Sequence, residues 1–231
     1  MPTFVFFHVG DDVSAPKLLV KSIRKSNPGS TVIMCTDHNT PKISDVDKTL
    51  VAGCDTSKLM TSRVNAFKEL SLQTPAVYLD TDILVTGRIP QLETMTASSV
   101  MLCRRSFMRD SAFNTGFRGY DYREHSGKTL DQVYPFLACF TVTGSGLFWS
   151  EIALILDKLD EKYAIWYGDQ EAIRQWSENR GMQQTKSLKE SAVACLPEYV
   201  QKNTLPLCIH FKGAQRKELM PLWADKLFNE K

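Results

Sequence analysis

Two aspartates, Asp80 and Asp82, stand one residue apart between two apolar runs of the sequence. The four residues before them, 76–79, are all apolar, which predicts a strand buried on both faces. Side chains alternate along an extended strand, so both carboxylates would point the same way. Such a pair suits a hard divalent cation, because the cation offsets the repulsion between the two charges. From these residues alone, a metal site and a strand end with two solvated acids are equally good interpretations.

A second polar group lies near the end of the chain, in residues 208–213 (CIHFKG). Alternation along a strand places His210 and Lys212 on one face. Imidazole is a common ligand of transition-type cations, Mn²⁺ included. Lys212, the backbone N–H of Gly213 and the nearby Lys217 offer charge and donors for a diphosphate. Alone, this stretch is better read as a structural histidine before a solvated basic tail; with Asp80 and Asp82, the functional interpretation gains support.

Polar residues also stand at two predicted turns. Asp169 and Gln170 follow a glycine at a predicted helix start, where Asp169 is either a plain N-cap or, with Gln170, a contact for a hydroxyl-rich ligand. Asn114, in the stretch FNTG, offers a similar polar contact in a loop. Its alternative role is that of a turn residue before a glycine.

The first third of the chain predicts the scaffold that would hold these groups. A Phe- and Val-rich strand at 3–9 precedes an amphipathic helix that starts at 14–16 and ends at 27–29 (NPG), and a second strand follows at 31–36. This βαβ order predicts a parallel sheet and a Rossmann-like N-terminal half. Ligands of such sheets gather at the carboxyl ends of the strands, where Asp80 and Asp82 would lie.

The remaining pattern predicts one α/β domain over residues 1–231, with a central, mostly parallel mixed sheet flanked by helices. Residues 1–103 would form a nucleotide-binding half, and 104–231 an acceptor-side half with a C-terminal tail. Strands are predicted at 48–52, 98–103, 133–143 and 207–211, and a loop-rich segment at 104–127. Helices are predicted at 57–72, 150–159, from about 169 to 176, and within 216–228.

Composition predicts a soluble, cytoplasmic protein. Hydrophobic residues make up 43% of the 231 residues, charged residues 23%, and the formal net charge is +2, too even for nucleic-acid binding by bulk charge. The six cysteines form no CxxC pair and suggest free thiols in a reducing compartment. No signal peptide and no apolar run of the ~20 residues that span a bilayer is recognised. The basic, aromatic tail is expected to pack on the domain, with a weak peripheral contact with an anionic membrane as the alternative.

The ordered set of motifs resembles small GT-A glycosyltransferases. It consists of Arg63, the DxD stretch at 77–85, FNTG at 113–116, WYGDQ at 166–170 and HFKG at 210–213. The set is most similar to the glycosyltransferase family 8-like group and to bacterial and viral surface-polysaccharide transferases. It extends from about residue 63 to residue 217.

The resemblance implies a single GT-A domain, a nucleotide-diphosphate sugar as donor, and Mn²⁺ or Mg²⁺ as cofactor. It implies a hydroxyl acceptor, either a saccharide of a surface polysaccharide or a glycolipid. The implied metal ligands are Asp80, Asp82 and His210, and the pair near the reacting carbon is Asp169 and Gln170. The residues implied for donor binding are Phe7, His8, Val9, Arg63, Asp80, Thr81, Asn114, Lys212, Gly213 and Lys217. UDP and GDP both stay open, since residues 4–10 lack the Asn or Asp usual early in the family's first strand.

Two other functions stay open at the level of sequence. A haloacid-dehalogenase-like phosphohydrolase would use Asp80 as a nucleophile, although that motif usually opens the first strand and has Thr or Val where Leu84 stands. A degenerate GT-A module would bind a nucleotide sugar without turning it over. We rank the metal-dependent glycosyltransferase first.

Overall fold

The computed structural model describes residues 1–90, 92, 95–182, 185–201 and 203–229. Its strands are β1 (Thr3–Phe7), β2 (Thr31–Thr36), β3 (Lys48–Val51), β4 (Ala76–Leu79), β5 (Ile83–Val85), β6 (Val100–Arg104), β7 (Gly116–Phe117), β8 (Tyr120–Asp121), β9 (Phe136–Thr143), β10 (Lys186–Lys189) and β11 (Cys208–His210). Its α-helices are α1 (Ser14–Ser26), α2 (Leu59–Leu70), α3 (Leu130–Val133), α4 (Leu147–Leu156), α5 (Glu161–Ile165), α6 (Gly168–Arg180), α7 (Glu190–Val193), α8 (Ala214–Lys217) and α9 (Met220–Asn229). Short 3-10 turns occur at Thr56–Lys58, Arg123–His125 and Pro197–Tyr199.

Seven strands form the central sheet, in the order β10-β6-β9-β4-β1-β2-β3. Strands β3, β2, β1 and β4 pair in parallel, and β9 pairs antiparallel with both β4 and β6. Strand β10 pairs in parallel with β6, so both run in the direction of β4. The predicted mixed, mostly parallel sheet with a βαβ start is therefore confirmed. The carboxyl ends of β1, β4, β6 and β10 all lie at one edge of this sheet.

Helices cover both faces of the sheet because its central strands are apolar on both sides. In β1, Phe4 and Phe6 pack in the cluster that includes α1, whereas Val5 packs in the opposite cluster with residues of α2, α4 and α6. All four residues of β4 are buried, as its unbroken apolar run predicts. The charged side chains near this sheet edge therefore lie where the strands end.

The sequence pattern locates the longer elements to within a few residues and misses short ones such as α3, α7 and β10. Strand β10 is the polar sequence KSLK at a sheet edge, exposed along most of its length, so it carries no buried-strand pattern. The loop-rich segment at 104–127 contains the two-residue hairpin strands β7 and β8. Positive φ at Arg118 and Gly119 shapes the turn between them.

The C-terminal tail packs on the domain, in agreement with the favoured prediction. Met220 and Ala224 of α9 are buried in one cluster with Ile209 of β11. The Lys25 Nζ of α1 donates to the carbonyl oxygens of Leu227 and Phe228, at 2.6 and 3.0 Å. In the part of the chain that the structure describes, no helix combines the length and apolarity needed to cross a membrane.

A close backbone approach joins α5 to α6. Tyr167, between the two helices, has a φ of 64°, a left-handed conformation that is rare for an aromatic residue. The next residue, Gly168, lies so near the Tyr163 carbonyl that an added Cβ would stand 2.1 Å from that oxygen. A glycine is therefore required at the exact point where α6 begins.

Replacing Gly168 by alanine tests this requirement. We expect Gly168→Ala to lower the free energy of unfolding by about 2 kcal/mol, because the added methyl group must displace backbone rather than a flexible side chain. Gly116→Ala is the matched control, since nothing lies within 4 Å of a Cβ at Gly116. Urea denaturation of the three proteins measures the difference; equal stability of the two variants would contradict the account.

Candidate functional site

The predicted metal ligands meet at a turn between two sheets. Strand β4 ends at Leu79, residues 80–82 turn the chain, and β5 leaves the turn to pair antiparallel with β11. The Asp80 N–H donates to the Cys139 carbonyl at 3.0 Å, and the Phe211 N–H donates to the Asp82 carbonyl at 2.8 Å. The two bonds tie the turn to β9 on one side and to the end of β11 on the other. His210, the last residue of β11, is thereby placed beside the turn.

Asp80, Asp82 and His210 each offer one ligand atom, and these atoms lie within 4.8 Å of one another. Asp82 and His210 are buried, at 9% and 4% relative exposure, while Asp80 is half-buried. The aspartates converge because the chain turns between them, and not because they share a face of an extended strand. Two carboxylates and an imidazole in this spacing fit Mn²⁺ or Mg²⁺.

Asp82 is held as a carboxylate by two cationic neighbours. Its Oδ1 lies 3.3 Å from His210 Nε2, and its Oδ2 lies 3.3 Å from Lys217 Nζ. Burial alone would raise the pKa of Asp82, but His210 and Lys217 outweigh burial and hold it well below its usual value. Burial likewise favours the neutral His210 imidazole, yet the neighbouring Cys139 and the Asp82 carboxylate together raise the pKa of His210 above its usual value. The protonation states of Asp82 and His210 therefore depend on each other.

Arg63, on α2, links the turn to α6. Its Nη1 lies 2.6 Å from Asp80 Oδ1, and its Nη2 contacts Asp169 Oδ2. The relative solvent exposures of the Arg63 and Asp169 side chains are 15% and 3%, so this pair is largely withdrawn from water. The sequence assigned Arg63 and Asp169 to the same site but did not predict that they pair.

Asp169 and Gln170 lie in the first turn of α6. The N-cap position belongs to Tyr167, so the interpretation of Asp169 as a plain N-cap is wrong. Asp169 Oδ1 accepts the backbone N–H of Gln170 at 2.8 Å, and its charge is favoured at a helix N-terminus. Gln170 Oε1 is buried, and no donor among the described residues reaches it. Such an acceptor is free to receive a hydrogen bond from a ligand hydroxyl group.

The segment after β1 lies beside the aspartates. Because β1 pairs with β4 in the register Phe6 to Leu79, Phe7, His8 and Val9 leave the sheet next to Asp80. The His8 N–H donates to the Cys35 carbonyl at 3.0 Å, which keeps this segment along β2. His8 Nε2 is buried without a hydrogen-bond partner among the described residues, and burial lowers the pKa of His8. The segment lies next to Asp80 at the carboxyl edge of the sheet, and its role in donor binding stays a prediction.

The other predicted donor-binding residues differ in how near they lie to Asp80, Asp82 and His210. Thr81 lies in the turn itself, half-buried, whereas Lys212 is exposed. Gly213 has a φ of 89° and open space around its Cα, so its backbone is accessible. Asn114 is exposed, and its Oδ1 accepts the Gly116 N–H at 3.0 Å, as its alternative role as a turn residue predicts. Lys217, and not Lys212, contacts Asp82, one of the three residues Asp80, Asp82 and His210 that we call the metal-ligand group.

The comparisons with known proteins rest on structure. The sequence matches no protein-family model and no curated protein. The fold resembles that of the glycosyltransferase GlyE of Streptococcus pneumoniae TIGR4, in its apo form, with a TM-score of 0.60 and 13% identity over 99% of this chain. It also resembles a glycosyltransferase involved in the glycosylation of the major capsid of PBCV-1, with a TM-score of 0.61 and 10% identity over 95% of this chain.

The two likenesses differ in extent. The match covers 98% of the PBCV-1 protein but only 62% of GlyE, so this chain spans less than two thirds of GlyE. At these identities the likeness shows the fold alone. The chain has the GT-A-like fold of these glycosyltransferases, which confirms the predicted fold class, while the assignment to family 8 stays a prediction.

The pair of Arg63 and Asp169 leads to a stability prediction. We expect Arg63→Met to lower the free energy of unfolding by about 3 kcal/mol, because it leaves the buried Asp169 carboxylate without its counter-charge. Adding Asp169→Asn should restore part of the loss, since the unpaired charge is then removed. Urea denaturation of the single and double variants gives the coupling between the two side chains.

Arg123→Met is the matched control, because Arg123 pairs with Asp121 while its side chain remains 85% exposed. Exposed ion pairs contribute little to stability, so we expect no measurable change. A loss of the same size in Arg63→Met and Arg123→Met, or no coupling between Arg63 and Asp169, would contradict the account.

Proposed function

We propose that this chain is a metal-dependent glycosyltransferase that moves a sugar from a nucleotide-diphosphate sugar to a hydroxyl group of an acceptor. One observation carries the proposal: the ligand atoms of Asp80, Asp82 and His210 come together at the carboxyl edge of a sheet with the fold of known glycosyltransferases. The pair of Arg63 and Asp169 adjoins this cluster through Asp80, so the proposed metal ligands and the proposed sugar-facing residues lie side by side.

The donor would lie along this edge. Asp80, Asp82 and His210 would hold Mn²⁺ or Mg²⁺, which when bound would neutralise the charge that develops on the diphosphate leaving group. Lys217, Lys212 and the backbone of Gly213 would add fixed positive potential beside the diphosphate. Residues 7–9 would border the nucleobase and ribose, and Thr81 and Asn114 would add polar contacts. UDP and GDP are the two nucleotides to compare.

Asp169 and Gln170 would face the donor sugar. Asp169 Oδ2 is paired with Arg63, whereas Gln170 Oε1 has no donor among the described residues, so Gln170 would offer the free acceptor to a sugar hydroxyl group. In a reaction that retains configuration, Gln170 would stabilise the oxocarbenium-like centre. In a reaction that inverts configuration, Asp169 would accept the proton of the acceptor hydroxyl. The anomeric coupling constant of the product, measured by NMR, decides between the two roles.

The acceptor is proposed to be a saccharide of a surface polysaccharide or a glycolipid, and the site of action the cytoplasm. Leu219 and Leu222 are exposed near Lys226 on the tail. This arrangement is consistent with a weak contact between the tail and an anionic membrane that carries a glycolipid acceptor. Nothing in the proposed reaction requires that contact.

The metal dependence gives the decisive activity test. We expect release of UDP or GDP from at least one sugar of a nucleotide-sugar panel when MnCl₂ is present, and its loss on addition of EDTA. Asp82→Asn keeps the size of the side chain but removes a metal-binding charge, and should lower kcat/KM by at least ~100-fold. Asp225→Asn, an equally small change on the exposed face of α9, should retain wild-type activity.

Other outcomes point to other functions. Turnover that is insensitive to EDTA and to Asp82→Asn would contradict the proposal. Stabilisation by a nucleotide without turnover of any donor would instead indicate a non-catalytic binding module. A phosphoaspartyl analogue formed on Asp80 with beryllofluoride would indicate a phosphohydrolase.

A further inference from the structure

A cavity of about 550 Å³ is lined by residues other than Asp80, Asp82 and His210. We name it the 107–199 cavity after two aromatic residues at its wall. Its lining residues are Phe107, Ser191, Ala192, Cys195, Tyr199, Val200, Gln201, Thr204, Leu205, Pro206 and Leu207. None of the functions proposed above uses these residues.

The topology places the 107–199 cavity at the same carboxyl edge of the sheet as Asp80. Phe107 follows the carboxyl end of β6, and Ser191 follows the carboxyl end of β10, and both strands run in the direction of β4. Cys195 is shared between the two regions: its N–H donates to the Cys208 carbonyl at 3.1 Å, and its carbonyl accepts the His210 N–H at 2.8 Å. One backbone segment thus separates the cavity from a predicted metal ligand.

The lining chemistry selects a neutral ligand with both polar and apolar surfaces. The described lining residues carry no charged side chain, so they offer no counter-charge to a phosphate or a nucleotide. Ser191, Gln201 and Thr204 offer uncharged donors and acceptors, and the other lining side chains are apolar or aromatic. Ligand pockets commonly combine an apolar wall with a few polar groups in this way.

The aromatic wall is built and held in place. The rings of Phe107 and Tyr199 stack with centroids 4.5 Å apart and an interplanar angle of 5°, while Tyr199 stays 55% exposed. Glu190, only 2% exposed, accepts the N–H groups of Ser106 and Phe107 at 2.7 and 2.9 Å. Hydrogen bonds to a carboxylate are strong, and Glu190 makes them to the backbone of two successive residues. They therefore fix the backbone that carries the Phe107 ring.

We propose that the 107–199 cavity binds a neutral oligosaccharide, as a subsite for the part of the acceptor that lies away from the reacting hydroxyl. The C–H face of a sugar ring would pack on the exposed face of Tyr199, and its hydroxyl groups would bond to Ser191, Gln201 and Thr204. The role as an acceptor subsite rests on the proposed function. Binding of the oligosaccharide itself requires neither donor nor metal.

Binding without turnover tests the subsite separately from the proposed function. The probe is an array of neutral di- to pentasaccharides, followed by calorimetric titration of the strongest binder. Tyr199→Ala should weaken that binding by about 10-fold, the effect of losing one aromatic packing surface. Tyr199→Phe should keep it, because the ring remains. Leu154→Ala, which truncates a similarly exposed apolar side chain on α4, is the matched control.

Two results would overturn the subsite. The first is that the wild-type protein binds no sugar of the array more strongly than Tyr199→Ala does. The second is that UDP with MnCl₂ fully displaces the sugar, which would place the sugar at Asp80, Asp82 and His210 instead. Melting curves of Tyr199→Ala confirm that the variant is folded. If the sugar binds as described but no nucleotide sugar is turned over, the proposed function fails and the binding site stands.

Discussion

The contacts that three carboxylates make with Arg63, His210 and Lys217 are the constraint on which this edge of the molecule depends. Asp80, Asp82 and Asp169 gather where strands and a helix begin or end, opposite Arg63, His210 and Lys217. Asp82, Asp169 and His210 are buried, and polar groups so far from water would be costly without these partners. Each partner comes from a different part of the chain, so these contacts can form only when the whole domain is folded.

The sheet topology explains how these distant parts meet. Parallel strands deliver residues 7–9 and Asp80 to one edge, and the antiparallel β9 fixes the turn after β4 through the Cys139 carbonyl. The pairing of β5 with β11 then brings His210 back to the turn. The Cys195 backbone continues this arrangement to the 107–199 cavity. The proposed metal ligands, the proposed sugar-facing residues and the 107–199 cavity are therefore placed by one topology.

The sequence predicts those features whose cause is local. The apolar runs of β1, β2 and β4 and the NPG stop after α1 predict the βαβ start, and the strand order confirms it. The family resemblance, rather than any local pattern, named Asp80, Asp82 and His210 as one set, and the structure brings their ligand atoms together. The spacing of Asp80 and Asp82 suggested an extended strand, whereas tertiary contacts impose a turn.

Features that depend on long-range packing could not be predicted in this way. The polar sequence of β10 becomes a strand only because β6 offers an edge to it. The pairing of Arg63 with Asp169 depends on how α2 and α6 face each other across the sheet edge. The stack of Phe107 on Tyr199 joins two loops that no local pattern relates. In each case the determining contact is absent from the neighbouring sequence.

The central claim is that Asp80, Asp82 and His210 bind one divalent cation, and anomalous diffraction from a crystal soaked in MnCl₂ with UDP tests it most directly. The account predicts a manganese peak within about 2.5 Å of a carboxylate oxygen of each aspartate and of a His210 ring nitrogen. The diphosphate of UDP should lie on the open side of that ion. A manganese ion bound elsewhere, or a UDP diphosphate bound with no metal between Asp80 and Asp82, would contradict it.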